Sequence, residues 1–316
     1  TALSAARTWG ANERIRVAVI GTRNRGNQVA SNLAAAGADV AVFCDCDRAM
    51  YERGIKEARI DPVPAFEQDF RKVLERKDID AVVIAAPDHW HALMTVLALD
   101  AGKHVYVEKP ASFNLRDNQA MLRAAARHAD KVVIVGTQQR SGAHFQEAAQ
   151  FVAAGSLGTV GFARAWVVHR RPTLKRVPDA DPPEGFDYDL WVGPAPWRPY
   201  NPLMTHYNWH FIPDYGTGEM GNWGAHWLDV VRWFLGLRYP SAVSGAAGTF
   251  VVRDAKETPD TQTILYEYPG LTVLWEERLW CDQGMDGDEV GAEIWGDKGI
   301  LRITRGGWTF RPTDGK

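Results

Sequence analysis

The sequence predicts an α/β fold in the first half of the chain and a strand-rich second half. Short apolar runs in the first half end at Gly, Asp or Pro, as buried parallel strands do. Stretches of helical length separate these runs, and strands that alternate with such helices form a parallel sheet covered on both faces. After residue 140, apolar residues alternate with polar ones, which is typical of half-buried strands.

The size and charge of the chain argue against several classes of protein. Its 316 residues are enough for two domains of roughly 150 residues each. The net charge of −3 lacks the basic excess of a nucleic-acid-binding protein, so no nucleic-acid partner is expected. The sequence has no apolar run long enough to predict a membrane span. Three cysteines do not make a disulfide framework.

The predicted elements of the first half follow a regular order. Strands are expected at residues 14–21, 39–45, 78–87, 104–110 and 131–140. Helices are expected at residues 26–36, around 66–76, at 92–102 and at 114–129. Because ligands bind beyond the carboxyl ends of the strands in such a sheet, the candidate ligand-binding residues follow each strand. These are residues 21–26, 45, 87–91, 108–110 and 137–140.

The segment HVYVEKP ends in two opposite charges, Glu108 and Lys109, where a buried strand normally ends in turn residues. One interpretation is that the strand presents Lys109 to a ligand while Pro110 fixes the backbone behind it. Glu108 then holds the lysine in place or binds a cofactor ribose. The alternative is an ion pair that only closes the edge of the sheet.

The segment GTRNRG, which follows the first strand and opens the first helix, is a candidate phosphate loop. A dinucleotide-binding loop needs Gly at three places, and here Gly21 and Gly26 fill the first and third while Arg23 occupies the second. Asn24 tolerates a left-handed backbone better than most residues. Arg23 and Arg25 carry charges that suit phosphate at a helix N-terminus. The alternative is an ordinary strand-to-helix turn with exposed arginines.

Asp45 ends the second strand, 19 positions after Gly26, close to the spacing of a ribose-binding acid. A carboxylate there accepts hydrogen bonds from the ribose hydroxyls and repels a 2′-phosphate, so NAD is favoured over NADP. Arg48 nearby keeps NADP possible. The alternative is that Asp45 only caps a helix that begins near Arg48.

The second half contains a long loop and a helix with candidate site residues. Residues 172–218 are rich in Pro, Gly and aromatic residues, and loops of this length are usually functional. Eleven of the 13 tryptophans lie after residue 160, where they suit either core packing or stacking on a sugar ring. In GEMGNWGAHWLDVVRW, Asn222 and His226 are four apart and would share one face of a helix. The glycines before His226 allow the backbone to approach a ligand closely.

The motifs GTRNRG, PDHWHALMTVLALDAGKHVYVEKP, VGTQQRS and GTGEMGNWGAHWLDVVRWFLG resemble the Gfo/Idh/MocA oxidoreductases over nearly the whole chain. The resemblance implies a Rossmann domain with a parallel sheet at residues 14–137. It implies an α+β domain with a large, mostly antiparallel open sheet at residues 138–316. That second domain commonly forms homo-dimers or homo-tetramers in the family.

The same resemblance implies the roles of the site residues. Lys109 matches the active-site lysine and His226 the catalytic histidine, while Asn222 stands where the family often has Asp. Asn222 carries no charge, so either His226 is a weaker base or Glu219 or Asp229 supplies the charge that supports an imidazolium. The predicted cofactor site comprises Gly21, Thr22, Arg23, Asn24, Arg25, Gly26, Asp45, Pro87, His91, Glu108, Lys109 and Gln138. The predicted substrate contacts are Arg140, His206, Trp209, His210 and Trp223.

The expected reaction is hydride transfer between a secondary hydroxyl of a sugar, glycoside or polyol and the nicotinamide of NAD. Histidine can accept the hydroxyl proton near neutral pH, and a lysine ammonium stabilises the developing alkoxide. An NAD-dependent glycoside-cleaving enzyme and a non-catalytic sugar or dinucleotide sensor are the alternatives. His89 with His91, and His206 with His210, have spacings that can bind zinc, but no further ligand pattern accompanies them, so no metal is expected.

Residues 1–13, TALSAARTWGANE, are rich in Ala and other small residues. They are interpreted either as the remnant of an export signal or as an arm that packs on a partner subunit. A periplasmic or otherwise exported protein is therefore suspected, with a cytoplasmic location as the alternative.

Overall fold

The computed structural model describes residues 14–313. The chain forms two compact units, of which the first contains residues up to Gly136 and also Asp179–Asn201. The second contains Thr137–Pro178 and the chain from Pro202 onward. The interpretation of residues 1–13 lies outside the described residues and stays a prediction.

From residue 14 onward, where the description of the first unit begins, six strands and six α-helices are present. Its strands are β1 (Arg16–Ile20), β2 (Asp39–Cys44), β3 (Ala65–Glu67), β4 (Ala81–Ile84), β5 (His104–Val107) and β6 (Val133–Val135). Its helices are α1 (Arg25–Ala35), α2 (Arg48–Ala58), α3 (Phe70–Glu75), α4 (Asp88–Asp100), α5 (Leu115–Arg127) and, in the returning segment, α7 (Tyr188–Val192). The helix expected around residues 66–76 is wrong at its start, because Phe66 lies in β3.

The first sheet has the order β3-β2-β1-β4-β5-β6, and all its pairs are parallel. This confirms the predicted parallel sheet. The order reverses between β1 and β4, and ligands bind at such a switch point in doubly wound sheets. The alternation of strand and helix therefore places the loop after β1 where a ligand is expected.

Both faces of the first sheet are buried against helices, which explains the near-continuous apolar runs of its strands. Ala18, Val82 and Ile84 face one apolar cluster, and Val19 and Phe43 face another. The charged side chain of Lys103, just before β5, is also buried. Its Nζ donates to the carbonyl oxygens of Arg76 at 2.5 Å and Ile79 at 2.8 Å.

The second unit, as described up to residue 313, contains seven strands and two α-helices. The strands are β7 (Val160–Val168), β8 (Ala242–Gly248), β9 (Thr261–Tyr268), β10 (Leu271–Arg278), β11 (Val290–Gly296), β12 (Gly299–Thr304) and β13 (Gly307–Pro312). The helices are α6 (Ala143–Ala153) and α8 (Ala225–Phe234). A π-helical turn, Met220–Gly224, leads directly into α8.

The second sheet has the order β13-β12-β11-β7-β10-β9-β8. Only β7 and β10 pair in parallel, so the predicted mostly antiparallel sheet is confirmed. Helices α6 and α8 pack on one face through apolar side chains that include Phe145, Val231, Trp227 and Trp275. The two tryptophans are fully buried, so they belong to the core and not to a sugar-binding surface.

No helix within residues 14–313 is both long and apolar enough to span a membrane.

Candidate functional site

The loop after β1 has the backbone geometry of a phosphate-binding turn. Gly21 has a φ of +89°, and a Cβ there would lie 2.5 Å from the Ala85 carbonyl oxygen. A Cβ on Gly26 would lie 1.8 Å from the Gly21 carbonyl oxygen. Asn24 begins α1 with a φ of 43°, as its tolerance of positive φ predicts. Gly is therefore required at both predicted glycine positions, and the missing middle glycine does not prevent the turn.

The N-terminus of α1 fits the pyrophosphate of a dinucleotide. Asn24 makes no side-chain capping bond to the first turn of α1. The first amides of a helix have no partner within the helix and attract anions, helped by the helix dipole. The tight contact of Gly26 with Gly21 keeps side-chain atoms out of this turn.

Asp45 connects the end of β2 to the phosphate loop. Its Oδ2 accepts from the Thr22 backbone amide at 2.8 Å and the Thr22 hydroxyl at 3.2 Å. Its Oδ1 accepts from the Asp47 amide at 3.1 Å. The cap of α2 is Asp47, whose side chain accepts from Ala49 N, so the alternative role of Asp45 as the helix cap is not needed. Asp45 is therefore fixed beside the phosphate loop, at the place where the ribose-binding acid lies in such a fold.

Glu108 makes its ion pair with Arg25, at the other end of the predicted phosphate loop. Arg25 Nε donates to Glu108 Oε1 at 2.7 Å, and the Tyr106 hydroxyl donates to the same oxygen at 3.0 Å. The Glu108 side chain is 6% exposed. Burial, together with the Glu108 charge, raises the pKa of Tyr106 to about 12. The predicted roles of Glu108, to hold Lys109 or to bind a cofactor ribose, did not include Arg25, which is 83 residues away in sequence.

Lys109 follows β5 directly, and the Lys109–Pro110 peptide bond is cis. The Lys109 amide donates to Glu108 Oε2 at 3.2 Å. The strand end and Glu108 therefore position the backbone of the predicted active-site lysine.

His91 joins the ends of two strands. Its Nδ1 lies 2.6 Å from the Pro110 carbonyl oxygen, and its Nε2 lies 2.9 Å from the Ala86 carbonyl oxygen. The residue is 1% exposed and lies in the first turn of α4, which begins after Pro87. These contacts give His91 a positioning role behind the E-K-P strand end. Its predicted contact with a cofactor stays a prediction.

The second unit contains a buried polar cluster around Glu219, just before the π-helical turn. Arg171 places its Nε 2.7 Å and its Nη2 2.6 Å from Glu219 Oε1. Asn222 Nδ2 donates to Glu219 Oε2 at 3.2 Å, and His210 Nε2 lies 3.7 Å from Oε1. Burial alone would raise the pKa of Glu219, but the neighbouring His210 and Arg171 hold it below its ordinary value.

His226 lies in the first turn of α8 and is 7% exposed. Its ring is 5.8 Å from that of Trp223. Asn222 lies in the π-helical turn that leads into α8, so this stretch is not the regular α-helix that the spacing argument assumed. The prediction that Asn222 and His226 share one face stays a prediction. The Asn222 side-chain amide donates to Glu219, three positions earlier.

The other acid considered as support for His226 has its own partner. Asp229 receives a bidentate pair from Arg140, with Nε to Oδ2 at 2.8 Å and Nη2 to Oδ1 at 2.7 Å. The predicted substrate residue Arg140 therefore already has a carboxylate partner.

The remaining predicted substrate residues occupy two places. His210 packs edge-on between the rings of Tyr207 at 4.9 Å and Trp209 at 5.8 Å. Trp223 lies 4.6 Å from the Arg305 guanidinium and 5.7 Å from the His169 ring. The loop after residue 205 and the turn before α8 thus supply the aromatic candidates. Gln138 lies in a short 3₁₀ helix at Gln138–Ser141, which begins the second unit.

Glu277 is a buried acid that the sequence reasoning missed. It is fully buried on β10, and neither carboxyl oxygen has a hydrogen-bond partner among the described residues. Gln262 and Trp275 have donor groups nearby but not in bonding geometry. Strand alternation could have revealed it, because Glu277 shares the face of Val273 and Trp275 in LTVLWEER.

Burial raises the pKa of the Glu277 carboxyl well above its ordinary value, and the charge of Glu219 raises it further. The folded protein then retains a proton that the unfolded chain releases above about pH 4.3. Because the native state binds more protons, the stability contributed by this group is full below that pH. It falls as pH rises towards the folded-state pKa.

We therefore expect Glu277→Gln to be more stable than the wild type at about pH 8, by about 1–2 kcal/mol, because an ionisable group no longer has to be buried. The gain should vanish near about pH 4.3, where the wild-type carboxyl is protonated in both states. Urea unfolding at the two pH values measures this. Glu276→Gln on the opposite face is the control and should show no gain. A constant difference between the two pH values would contradict the assignment.

Within the described part of the chain, no three His, Cys, Asp or Glu side chains are grouped so as to hold a metal ion. The two histidines of the H-x-H motif instead contact backbone carbonyl oxygens. His89 Nε2 lies 3.1 Å from the Trp191 carbonyl oxygen, and both ring nitrogens of His91 have carbonyl partners. These contacts account for both rings.

Two family models match the chain. The GFO_IDH_MocA model, described as an oxidoreductase family with an NAD-binding Rossmann fold, matches residues 15–137. The model of the C-terminal alpha/beta domain of this oxidoreductase family matches residues 157–269. These ranges agree with the parallel sheet of the first unit and much of the sheet of the second.

One of the named relatives extends the similarity over nearly the whole chain. The chain is 32% identical to "Inositol 2-dehydrogenase 3" of Saccharopolyspora erythraea, over 95% of this chain and 76% of that protein. It is 34% identical to "Glycosyl hydrolase family 109 protein" of Solibacter usitatus, over only 32% of this chain and 25% of that protein. The first similarity includes both units, whereas the second is confined to a third of the chain.

A solved structure shares the fold. It is scyllo-inositol dehydrogenase from Lactobacillus casei, with bound NAD(H) and scyllo-inositol. It aligns with a TM-score of 0.68 at 21% identity, over 92% of this chain and 76% of that one.

Proposed function

This chain belongs to the Gfo/Idh/MocA family of oxidoreductases with an NAD-binding Rossmann fold, and from this premise we propose that it oxidises a secondary hydroxyl of a cyclic polyol or sugar. The observation that carries the substrate class is the 32% identity to an inositol 2-dehydrogenase along 95% of the chain. The cofactor is NAD, which accepts the hydride when it is bound.

The first unit supports this proposal through the residues that would hold the cofactor. The turn from Gly21 to Gly26 and the N-terminus of α1 suit the pyrophosphate. Asp45 suits the ribose of the adenosine half, since it follows β2 directly and is fixed by Thr22. Arg25 forms an ion pair with Glu108, which holds the phosphate loop against the end of β5. Because Glu108 neutralises the Arg25 charge, the attraction of Arg25 for a phosphate is weaker.

The chemical step requires a proton acceptor and a cation at the reacting oxygen. We assign the first role to His226, which would take the hydroxyl proton as the hydride leaves the carbon. We assign the second to Lys109, whose ammonium would stabilise negative charge on that oxygen. Asn222 would act on His226 only through position, because its amide carries no charge and one of its donors is directed to Glu219.

A panel assay tests the proposal. Inositol isomers, common sugars and glycosides are offered with NAD and NADP separately, and NADH formation and products are followed. Oxidation of a cyclic polyol or sugar with net formation of NADH is expected. NAD binding without reduction of NAD on any compound would indicate a non-catalytic sensor and would contradict the proposal.

A glycoside-cleaving enzyme that oxidises its sugar transiently remains the second candidate, supported by the glycosyl hydrolase family 109 relative. That match covers 32% of the chain, which is less support than the dehydrogenase relative provides. Glycoside cleavage without net NADH in the same panel would favour it.

A further inference from the structure

A segment from the second half of the chain belongs to the cofactor-binding unit. Asp179–Asn201, here called the strap, follows β7 and clusters with the first unit. Its ends meet, since Ala180 N donates to the Tyr200 carbonyl oxygen at 3.0 Å and Asn201 Nδ2 donates to Asp179 Oδ1 at 2.9 Å. The strap is therefore a loop that is closed at its base by hydrogen bonds.

The interior of the strap is aromatic and ordered. Tyr188 stacks on Trp191 with the ring centroids 5.7 Å apart, and it meets Phe186 and Tyr200 edge-on. All four rings are less than 9% exposed. The strap is therefore a packed element that can hold the backbone of the segments it contacts in place.

Residues 185–187 of the strap pair with the turn that follows Asp45, the candidate ribose-binding acid. Asp187 N donates to the Cys46 carbonyl oxygen at 2.9 Å, and Arg48 N donates to the Gly185 carbonyl oxygen at 3.1 Å. The Gln68 side chain joins the two segments, since its Nε2 donates to Cys46 O at 3.0 Å and Gly185 O at 3.2 Å. The backbone of residues 46–48 is thus held from outside by the strap.

That turn in turn holds Asp45, because Asp47 N donates to Asp45 Oδ1 at 3.1 Å. A chain of hydrogen bonds therefore runs from Gly185 and Asp187 of the strap through residues 46–48 to the candidate ribose acid. The orientation of the Asp45 carboxylate depends on that chain and on Thr22.

Residues 191–193 of the strap contact the start of α4. The Trp191 carbonyl oxygen accepts from Trp90 Nε1 at 2.9 Å and lies 3.1 Å from His89 Nε2. Gly193 has a φ of +50°, and a Cβ there would lie 1.9 Å from the Trp90 ring. The strap therefore reaches from the end of β2 to the residues that follow β4, along the ligand-facing edge of the sheet.

The strap also adds negative charge beside the turn. Removal from water raises the pKa of the Cys46 thiol well above its ordinary value, and the charges of Asp45, Asp47 and Asp187 raise it further. Asp187 belongs to the strap. Three carboxylates around one turn disfavour a 2′-phosphate there. The cation of the turn, Arg48, lies 5.4 Å from the Phe66 ring centroid and 3.8 Å from the Glu52 carboxylate.

We propose that the strap positions the adenosine-ribose end of the cofactor site, so that residues 185–187 and Gln68 set the affinity for NAD and the preference for NAD over NADP. This inference rests on the proposed NAD-dependent function. In it, Gln68 is a positioning residue that acts on the cofactor through the turn and Asp45.

The test compares cofactor affinities without any substrate. Gln68→Leu keeps the size of the side chain and removes the donor to both carbonyl oxygens. We expect the Kd for NAD to rise about fivefold to tenfold, as the loss of one or two hydrogen bonds implies. The Kd for NADP should change less, so the Kd for NADP divided by the Kd for NAD should fall. Isothermal titration calorimetry measures both.

Tyr51→Phe is the matched control, because it removes a hydrogen bond to a backbone carbonyl in the same unit but outside the strap, from the Tyr51 hydroxyl to the Pro64 carbonyl oxygen. Its NAD and NADP affinities should stay within about twofold of the wild type. A purely structural role of Gln68 would lower the melting temperature and leave the ratio of the two Kd values unchanged, which would overturn the proposal.

Two further measurements keep the outcomes separate. Asp45→Ala should weaken NAD binding, and if it does while Gln68→Leu does not, the strap proposal fails and the proposed function stands. If the wild type binds no NAD, both fail. Hydrogen exchange on the wild type needs no variant. NAD should slow exchange at the amides of Arg48 and Asp187, and unchanged exchange there would also overturn the proposal.

Discussion

The His226→Ala variant should lose about 10²–10⁴-fold in kcat, because removal of a positioned general base has effects of this size. Its Kd for NAD should remain close to the wild-type value. His226 lies in α8 of the second unit, whereas the phosphate loop and Asp45 lie in the first. Pre-steady-state mixing with a deuterated substrate measures the hydride step, and titration with NAD measures binding.

His144→Ala is the matched control for this variant. It removes an imidazole from the same unit, where His144 Nε2 lies 3.2 Å from the Thr304 carbonyl oxygen. Its kcat should be nearly unchanged. If His226→Ala reduces NAD affinity and kcat by the same factor, His226 is not the proton acceptor and acts only on the fold of the site.

The Lys109→Ala variant should lose about 10²–10³-fold in kcat, the size of effect seen when one group that stabilises an oxyanion is removed. The thermal stability should change little. The neighbouring Glu108 keeps Arg25 as its ion-pair partner, so removal of the lysine leaves no unpaired buried carboxylate. Steady-state kinetics on the best substrate of the panel, with a thermal melt, measure both quantities.

Lys103→Met is the control for Lys109, since Lys103 is a lysine of the same unit with a structural role. Its ammonium is buried against the carbonyl oxygens of Arg76 and Ile79, and its loss leaves both without this donor. We expect Lys103→Met to lower stability by about 1–3 kcal/mol with kcat retained in the folded fraction. If Lys109→Ala behaves like Lys103→Met, Lys109 is a structural residue.

The first sheet was predictable because its signals are local. Each strand is a short apolar run that ends at a turn residue, and each helix between them has an ordinary length. The phosphate loop was predictable for the same reason, since Gly21, Asn24 and Gly26 have the backbone angles and close contacts that their residue types suggest. The short strand β3 was missed because three residues are too few to show a period.

The partners of charged side chains were not predictable, because they depend on residues far apart in sequence. The pair of Arg25 with Glu108 spans 83 positions, and that of Arg140 with Asp229 spans 89. The π-helical turn was also missed. A sequence period of 3.6 residues assumes a regular α-helix, and the glycines around Asn222 gave no sign of a wider turn.

Measurements of kcat and of stability on the Lys109 and His226 variants distinguish a catalytic from a structural role for each residue. The structure places Lys109 directly after β5 in the first unit and His226 in α8 of the second. The relation of the two side chains to one hydroxyl group stays a prediction, and the two variants with their controls test it.

The return of residues 179–201 to the first unit makes the cofactor domain discontinuous in the gene product. A recombinant fragment cut near Gly136 would lack Phe186, Trp191 and the backbone partners of residues 46–48. If the chain after residue 136 were exchanged for the substrate domain of another protein, the strap would be lost together with α8. Any such chimaera therefore has to keep two separate stretches of this chain if its dinucleotide site is to remain intact.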